Sequence, residues 1–301
     1  MWLRVLGSAA GGGFPQWNCD CAQCVAVRQG STNCAPRTQS SIAVSADYQR
    51  WAIVNASPDI AHQIDAFGAL HPSVGRSSPI EAVLLTDAEL DHTAGLLVLR
   101  EQDAIHVHAT AHVRDVVSHA PPEGTALLTT LSAYCRVDWH EVVAGASVPM
   151  PGGYSYRAFD SPTEKQPRFT GNRYDGHGRN IGYRFTDDAS GRSAVVLPTV
   201  HELTPALLDE LSGCDCVLID GTCFTDTELI DQGLAGSTSR RMGHEPIDAG
   251  SLDKLAALRS GRKIYTHINN TNPILMHDSP QRAAVRAAGV DVAYDGMEIE
   301  I

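Results

Sequence analysis

One stretch constrains this chain more than any other: an apolar strand that runs straight into acids and a histidine, Leu84-Leu85-Thr86-Asp87-Ala88-Glu89-Leu90-Asp91-His92-Thr93-Ala94-Gly95. If the backbone stays extended past Leu85, alternation puts Asp87, Glu89 and Asp91 on one side. Three carboxylates that close repel one another unless a cation neutralises them or some hold protons. The plainer alternative is a solvated strand-to-helix turn with Asp91 as the helix cap. A second apolar strand ends in the same manner, Lys263-Ile264-Tyr265-Thr266-His267, and an amide-rich loop to Pro273 follows. Strand ends are where α/β proteins place their sites. A lone histidine there is more often a surface or satisfied core residue. Two strand-end histidines with a carboxylate make a three-ligand metal site possible.

The rest of the chain fits an α/β class with layered sheets. Strand-like runs lie at Trp2–Leu6, Ser41–Ser45, Trp51–Asn55, Ala82–Thr86, Ile105–His108, Tyr154–Phe159, Ile181–Phe185, Ala194–Leu197, Cys216–Ile219, Lys263–Thr266 and Val290–Ala293. Helical patterns fall at Pro58–Leu70, His92–Arg100, Pro205–Leu211, Ser251–Arg259 and Ser279–Ala288. Strands follow one another in the first half, and helix alternates with strand after Pro205, so some antiparallel pairing is expected. No linker divides the 301 residues, which are expected to form one domain. Residues 162–180 lack periodicity and carry Lys165, Arg168, Arg173 and Arg179. This basic loop is either a solvated surface or a lid for an anionic substrate.

The formal charge of −12, with no basic block, argues against nucleic acid as a partner. No apolar run approaches the ~18 residues a membrane span needs. The N-terminus lacks a signal-peptide pattern, so a cytoplasmic location is expected. A homo-oligomer is left open. Three of the eight cysteines, Cys19, Cys21 and Cys24, fall within six residues. That C-x-C-x2-C spacing suits a structural zinc better than disulfides. The knuckle, about residues 11–30, needs a fourth ligand from elsewhere, with Cys34, His244 and Asn270 as candidates. Cys214 and Cys216 read as core thiols.

Together these pieces resemble the metallo-β-lactamase superfamily, whose hallmark is a strand, H-x-H-x-D-H and a helix. Here both early histidines are the carboxylates Asp87 and Glu89. The N-terminal Gly7-Ser-Ala-Ala-Gly-Gly-Gly-Phe-Pro15 and the cysteine knuckle resemble its phosphodiesterase branch. The knuckle with Asn55-Ala-Ser-Pro-Asp59, Met242-Gly-His244 and His267 to Leu275 resembles, more closely, the branch serving synthesis of the cofactor pyrroloquinoline quinone (PQQ). The resemblance covers nearly the whole chain. It implies an αββα sandwich, two mixed sheets flanked by helices, with a metal site at the rim.

In the superfamily one metal uses the early histidines and a mid-chain histidine. That set is altered here to Asp87, Glu89 and His177. The other uses the Asp-His pair and a late histidine, present as Asp91, His92 and His267. The usual bridging aspartate falls near Pro198-Thr199, and proline cannot replace it. Two histidines and one carboxylate leave open positions and suit Fe(II) that activates O₂. The resemblance implies an iron-dependent hydroxylase acting on the tyrosine ring of a Glu–Tyr cross-linked diamino acid, an anionic PQQ precursor. On this reading Asp87 or Glu89 acts as base or orients a metal-bound water, and His177 and His244 face the substrate. Arg168, Arg173, Arg179, Arg240 and Arg241 meet its carboxylates. Asn270 stands where the phosphodiesterase branch has its fourth zinc ligand. Two other functions remain: a carrier of PQQ or its precursor, and a metal-dependent hydrolase or phosphodiesterase.

Overall fold

The computed structural model describes residues 1–169 and 177–301. Its strands are β1 (Trp2–Gly7), β2 (Ser41–Ser45), β3 (Trp51–Val54), β4 (Ile80–Leu84), β5 (Ala104–Ala109), β6 (Arg136–Glu141), β7 (Ser147–Met150), β8 (Tyr154–Asp160), β9 (Ile181–Asp187), β10 (Ser193–Leu197), β11 (Cys216–Asp220), β12 (Arg262–Thr266), β13 (Asp291–Val292) and β14 (Glu298–Glu300). They form two seven-stranded sheets, in the orders β14-β1-β2-β3-β4-β5-β6 and β13-β12-β11-β10-β9-β8-β7. Each sheet is half antiparallel and half parallel. The direction changes at β3 in the first and at β10 in the second.

Leu3, Val44, Leu84, Tyr183, Phe185, Val196 and Leu218 fill the space between the sheets. A second core lies under Pro205–Leu211, Leu252–Ala257 and Pro280–Ala287, and a third under Ile60–Asp65, Ala94–Glu101 and Ala111–Ser118. The result is the αββα layering of the metallo-β-lactamase fold. Strands covered on both faces need apolar residues at nearly every position. Accordingly β3, β10 and β11 are buried throughout, and these were legible as apolar runs. Polar strands were not: β6, at a sheet edge, is largely exposed, and β7 contains Pro149. The helix Ala22–Arg28 buries only Cys24, so it offers no apolar stripe to read. Thr204 and Ser279 cap their helices, each with proline at the first turn. Among the described residues no helix is long and apolar enough to cross a membrane.

Candidate metal centres

The parallel halves of both sheets end at one rim, and their strand ends supply its side chains. Beyond β4, Asp87 leads into the short helix Leu90–Thr93, which carries Asp91 and His92. Beyond β12 comes His267, whose φ is 54°. Left-handed backbone costs a non-glycine residue on the order of 1–3 kcal/mol. His267 Nε2 lies 3.4 Å from Asp91 Oδ2, and His92 Nε2 lies 3.9 Å from the same oxygen. Donor atoms of Asp91, His92 and His267 all fall within 4.8 Å of one another. Gly11 closes over this carboxylate: a Cβ there would stand 3.1 Å from Asp91 Oδ2.

His92 shows how the rim is preset. Its Nδ1 lies 2.8 and 2.9 Å from the two oxygens of buried Asp87. Asp87 also accepts hydrogen bonds from the hydroxyls of Thr86 and Thr199 and from Glu89 N–H. Nδ1 therefore holds a proton, and Nε2 is buried with no hydrogen-bond partner. An unmatched buried polar atom is costly unless an ion or water takes it. Burial by itself lowers the His92 pKa, but the Asp87 and Asp91 carboxylates outweigh it and hold it at about 9. They draw a second proton onto the ring, and a cation at Nε2 takes that proton's place. The donor set fits a divalent transition metal.

A second trio shares His267. Asp220, the last residue of β11, sets Oδ2 2.7 Å from His244 Nδ1 and accepts Val200 N–H at 2.8 Å. The Thr222 hydroxyl donates to Asp220 Oδ1 at 2.7 Å and lies 2.9 Å from His267 Nδ1. The rings of His244 and His267 stack at 5.3 Å. Donors of Asp220, His244 and His267 also fall within 4.8 Å. Asp220 is the residue that sequence reasoning missed. Pro198-Thr199 supplies no carboxylate, and Asp220, at the end of the adjacent strand, holds His244. Its signal was present, since Leu218-Ile219-Asp220 is an apolar strand that ends in an acid.

The cysteines make a separate centre. Cys21 starts the helix Ala22–Arg28 and Cys24 lies within it. The three sulfurs of Cys19, Cys21 and Cys24 meet. Asn270 Nδ2 approaches all three, at 3.1, 3.5 and 3.3 Å. The amide, turned end for end, presents its oxygen to the same point. Burial, with neighbouring thiols adding to it, pushes Cys21 up to about 12, a tendency that a bound cation reverses. Three thiolates and one amide oxygen fit a tetrahedral zinc. Of the other candidates for the fourth position, Cys34 is buried outside the trio and His244 stands at the rim.

Residues 50–268 match the family described as the Beta-lactamase superfamily domain. Coenzyme PQQ synthesis protein B of Methylococcus capsulatus is 43% identical over 99% of this chain and 99% of its own. The protein of that name from Cupriavidus necator is 44% identical, again over 99% of each. This chain belongs to the coenzyme PQQ synthesis protein B family. A crystal structure of zinc-bound PqqB from Methylobacterium extorquens is 38% identical, covers 100% of both chains and superposes with a TM-score of 0.91. A diphosphatase from the PhnP family shares the fold, with a TM-score of 0.68 at 22% identity over 100% of this chain and 97% of its own.

In this PQQ synthesis family member the rim opens into a cavity of ≈ 680 Å³, lined by Asp91, His92, His244 and His267. Lys165, Arg168, Arg179 and Arg241 line it too. Glu89 is held by two of them, Lys165 Nζ at 2.7 Å and Arg168 Nε at 3.0 Å. That ties the basic loop to the rim and engages the Glu89 carboxylate. The Asp87 oxygens face His92 and two hydroxyls, away from the role of base. His177 is exposed, its Nδ1 3.0 Å from Asp160 Oδ2, and is not in the cavity wall. Arg240 shares the short helix Ser239–Met242 with Arg241, but only Arg241 lines the cavity. Arg173 lies outside the described residues.

Proposed function

We propose that this protein hydroxylates the tyrosine ring of a Glu–Tyr cross-linked diamino acid on the way to PQQ, with Fe(II) held by Asp91, His92 and His267. The observation that carries this reading is the buried, unmatched Nε2 of His92 beside one carboxylate and one imidazole, at the floor of a cavity walled by cations. Bound there, Fe(II) supplies the activation of O₂ that this ligand type supports. One oxygen atom replaces a ring hydrogen as hydroxyl. The other leaves as water, with two electrons from an external reductant.

The protein's own residues bind and orient. The precursor carries several carboxylates, and Arg168, Arg179, Arg241 and Lys165 meet them with charge-assisted bonds. Glu89 holds Lys165 and Arg168 until a substrate carboxylate replaces it. With its Nδ1 on Asp220, His244 presents Nε2 as acceptor for the phenolic proton. Asp87 fixes His92 in the same way that Asp220 fixes His244. Cys19, Cys21, Cys24 and Asn270 hold a structural zinc, within one domain spanning 1–301.

The trio Asp220, His244 and His267 favours a second reading, a binuclear hydrolase. Against it, both Asp220 oxygens are taken up by His244, Val200 N–H and Thr222, so Asp220 stands behind His244 and offers no free oxygen to a second ion. Metal analysis decides. The protein is made anaerobically with iron, its iron and zinc are counted, and precursor and air are added. One zinc per chain, one iron that disappears in His267→Ala, and O₂ uptake support the hydroxylase. A rim without iron and no O₂ uptake overturn it in favour of a carrier. Two zinc ions at the rim with phosphodiester cleavage would favour the hydrolase.

A further inference from the structure

The rim cavity has a neighbour. A second hollow of ≈ 400 Å³ adjoins it, and Gly11, Glu89, Asp91, Arg168 and Arg179 line both. These side chains make the two hollows lobes of one cleft, with themselves as the partition. His92, His244 and His267 line the first lobe and not the second. The second has walls of its own, apolar at Ala88, Leu90 and Val116, with His112 among them.

Core packing does not account for those walls. On the helix Ala111–Ser118, Val113 and Val117 enter the third core, whereas Val116 is buried yet stands outside it. His112 and Val116, four residues apart, share one helix face, and that face lines the lobe. Leu90 is 58% exposed, one residue before Asp91. A leucine and a valine turned to a hollow instead of a core offer an apolar seat to a ligand.

The same helix docks a cation beside the seat. Thr110, its cap, donates to Gly178 O at 2.6 Å, which holds the stretch bearing Arg179 against it. Among the described residues no carboxylate lies at ion-pair distance from half-buried Arg179, and Glu89 is held by Lys165 and Arg168. Burial, with the Arg179 charge beside it, lowers the His112 pKa to about 4, so that ring is neutral. Asp87 is taken up by His92, and Asp91 faces the rim donors. The charges left to meet a ligand are two guanidiniums and, once Lys165 and Arg168 turn to the ligand, the Glu89 carboxylate.

We propose that this second lobe seats the glutamate arm of the precursor while the ring occupies the metal lobe, with His112 and Val116 as specificity-determining residues. The assignment rests on the substrate reading given above. A glutamate arm carries two carboxylates, one ammonium and a short methylene stem. Arg168 and Arg179 match the carboxylates, Glu89 the ammonium, and Leu90 with Val116 the stem. A tyrosine arm, with one carboxylate, leaves a guanidinium unmatched.

The test uses the full-length protein with its knuckle and rim metals loaded, kept anaerobic, and L-glutamate as the calorimetric probe. The wild type binds L-glutamate, and so does His267→Ala, because the seat is apart from the rim ion. Val116→Trp fills the lobe and Arg179→Gln removes its cation. Each is expected to weaken L-glutamate binding roughly tenfold and to raise KM for the precursor, with rim iron content unchanged. Circular dichroism and knuckle zinc check that both variants fold. No binding by the wild type would overturn the seat, as would wild-type affinity in both folded variants or loss of binding with the rim ion in His267→Ala. O₂ uptake reports on the hydroxylation separately. Binding lost in Val116→Trp and Arg179→Gln, with no O₂ uptake by the wild type, keeps the seat and removes the hydroxylation. O₂ uptake with KM unchanged in both variants does the reverse.

Discussion

The knuckle and the rim are built from opposite chemistry. The knuckle's donors are soft thiols from six consecutive positions, closed off by Asn270. The rim's donors are imidazoles and carboxylates from strand ends far apart in the chain, and they open on a charged cavity. A local, closed set of thiolates suits a structural ion. A long-range, open set of mixed donors suits reaction chemistry, and it exists only once both sheets have packed. The contrast teaches that each centre should fail in its own way.

The sharpest break is His267→Ala. It removes a member of both rim trios, so the rim is expected to lose its ion entirely while the knuckle keeps its zinc, as read by metal content. Asp87→Asn comes next. It removes the charge, and one of the two acceptor oxygens, that fix His92, so rim affinity is expected to fall roughly 10–100-fold. Excess metal restores occupancy, which separates this change from a broken ligand. Cys24→Ser works the other way. Knuckle zinc is lost, and calorimetry is expected to show a melting temperature lower by roughly 5–10 °C. Arg168→Ala is smaller. An exposed ion pair contributes about 0–1 kcal/mol to stability, so melting is unchanged while KM for the precursor rises several-fold at near-constant kcat.

The smallest effect concerns the segment between the centres. Thr271 donates to buried Glu228, whose carboxyl is pushed by burial from 4.5 up to about 7. The folded state thus holds this proton more tightly than the unfolded chain. The stability from it is full below 4.5 and is lost as pH rises to about 7. Glu228→Gln lacks that dependence. Its melting temperature is expected to gain on the wild type across this window, and parallel curves would show that Glu228 titrates normally.

Much of this was legible because the rim's acids and histidines end apolar strands. Leu84–Asp91 and Ile264–His267 announce themselves by that break in pattern. Asp220 ends a strand in the same way, but its partner His244 lies 24 positions on, so the pairing is visible only in the fold. His177 could not be placed from sequence because its loop has no periodicity, and its partner, Asp160, lies 17 residues away. Glu89 looked like a base because its partners, Lys165 and Arg168, are more than 70 positions distant. Asn55 came in with a motif, yet its side chain clamps Thr86, one residue before Asp87. Its role is visible only once β3 and β4 lie side by side.

The loop after β12 carries His267 to the rim and Asn270 to the cysteines. Three peptide units span at most about 11 Å, and Gln23 of the knuckle helix donates to Thr271 of the same loop at 2.8 Å. The two sites therefore hang on a common tether. A chelator that strips an ion from the sulfur side is therefore expected to loosen His267 as well, so that inactivation by such reagents reads the sum of two losses.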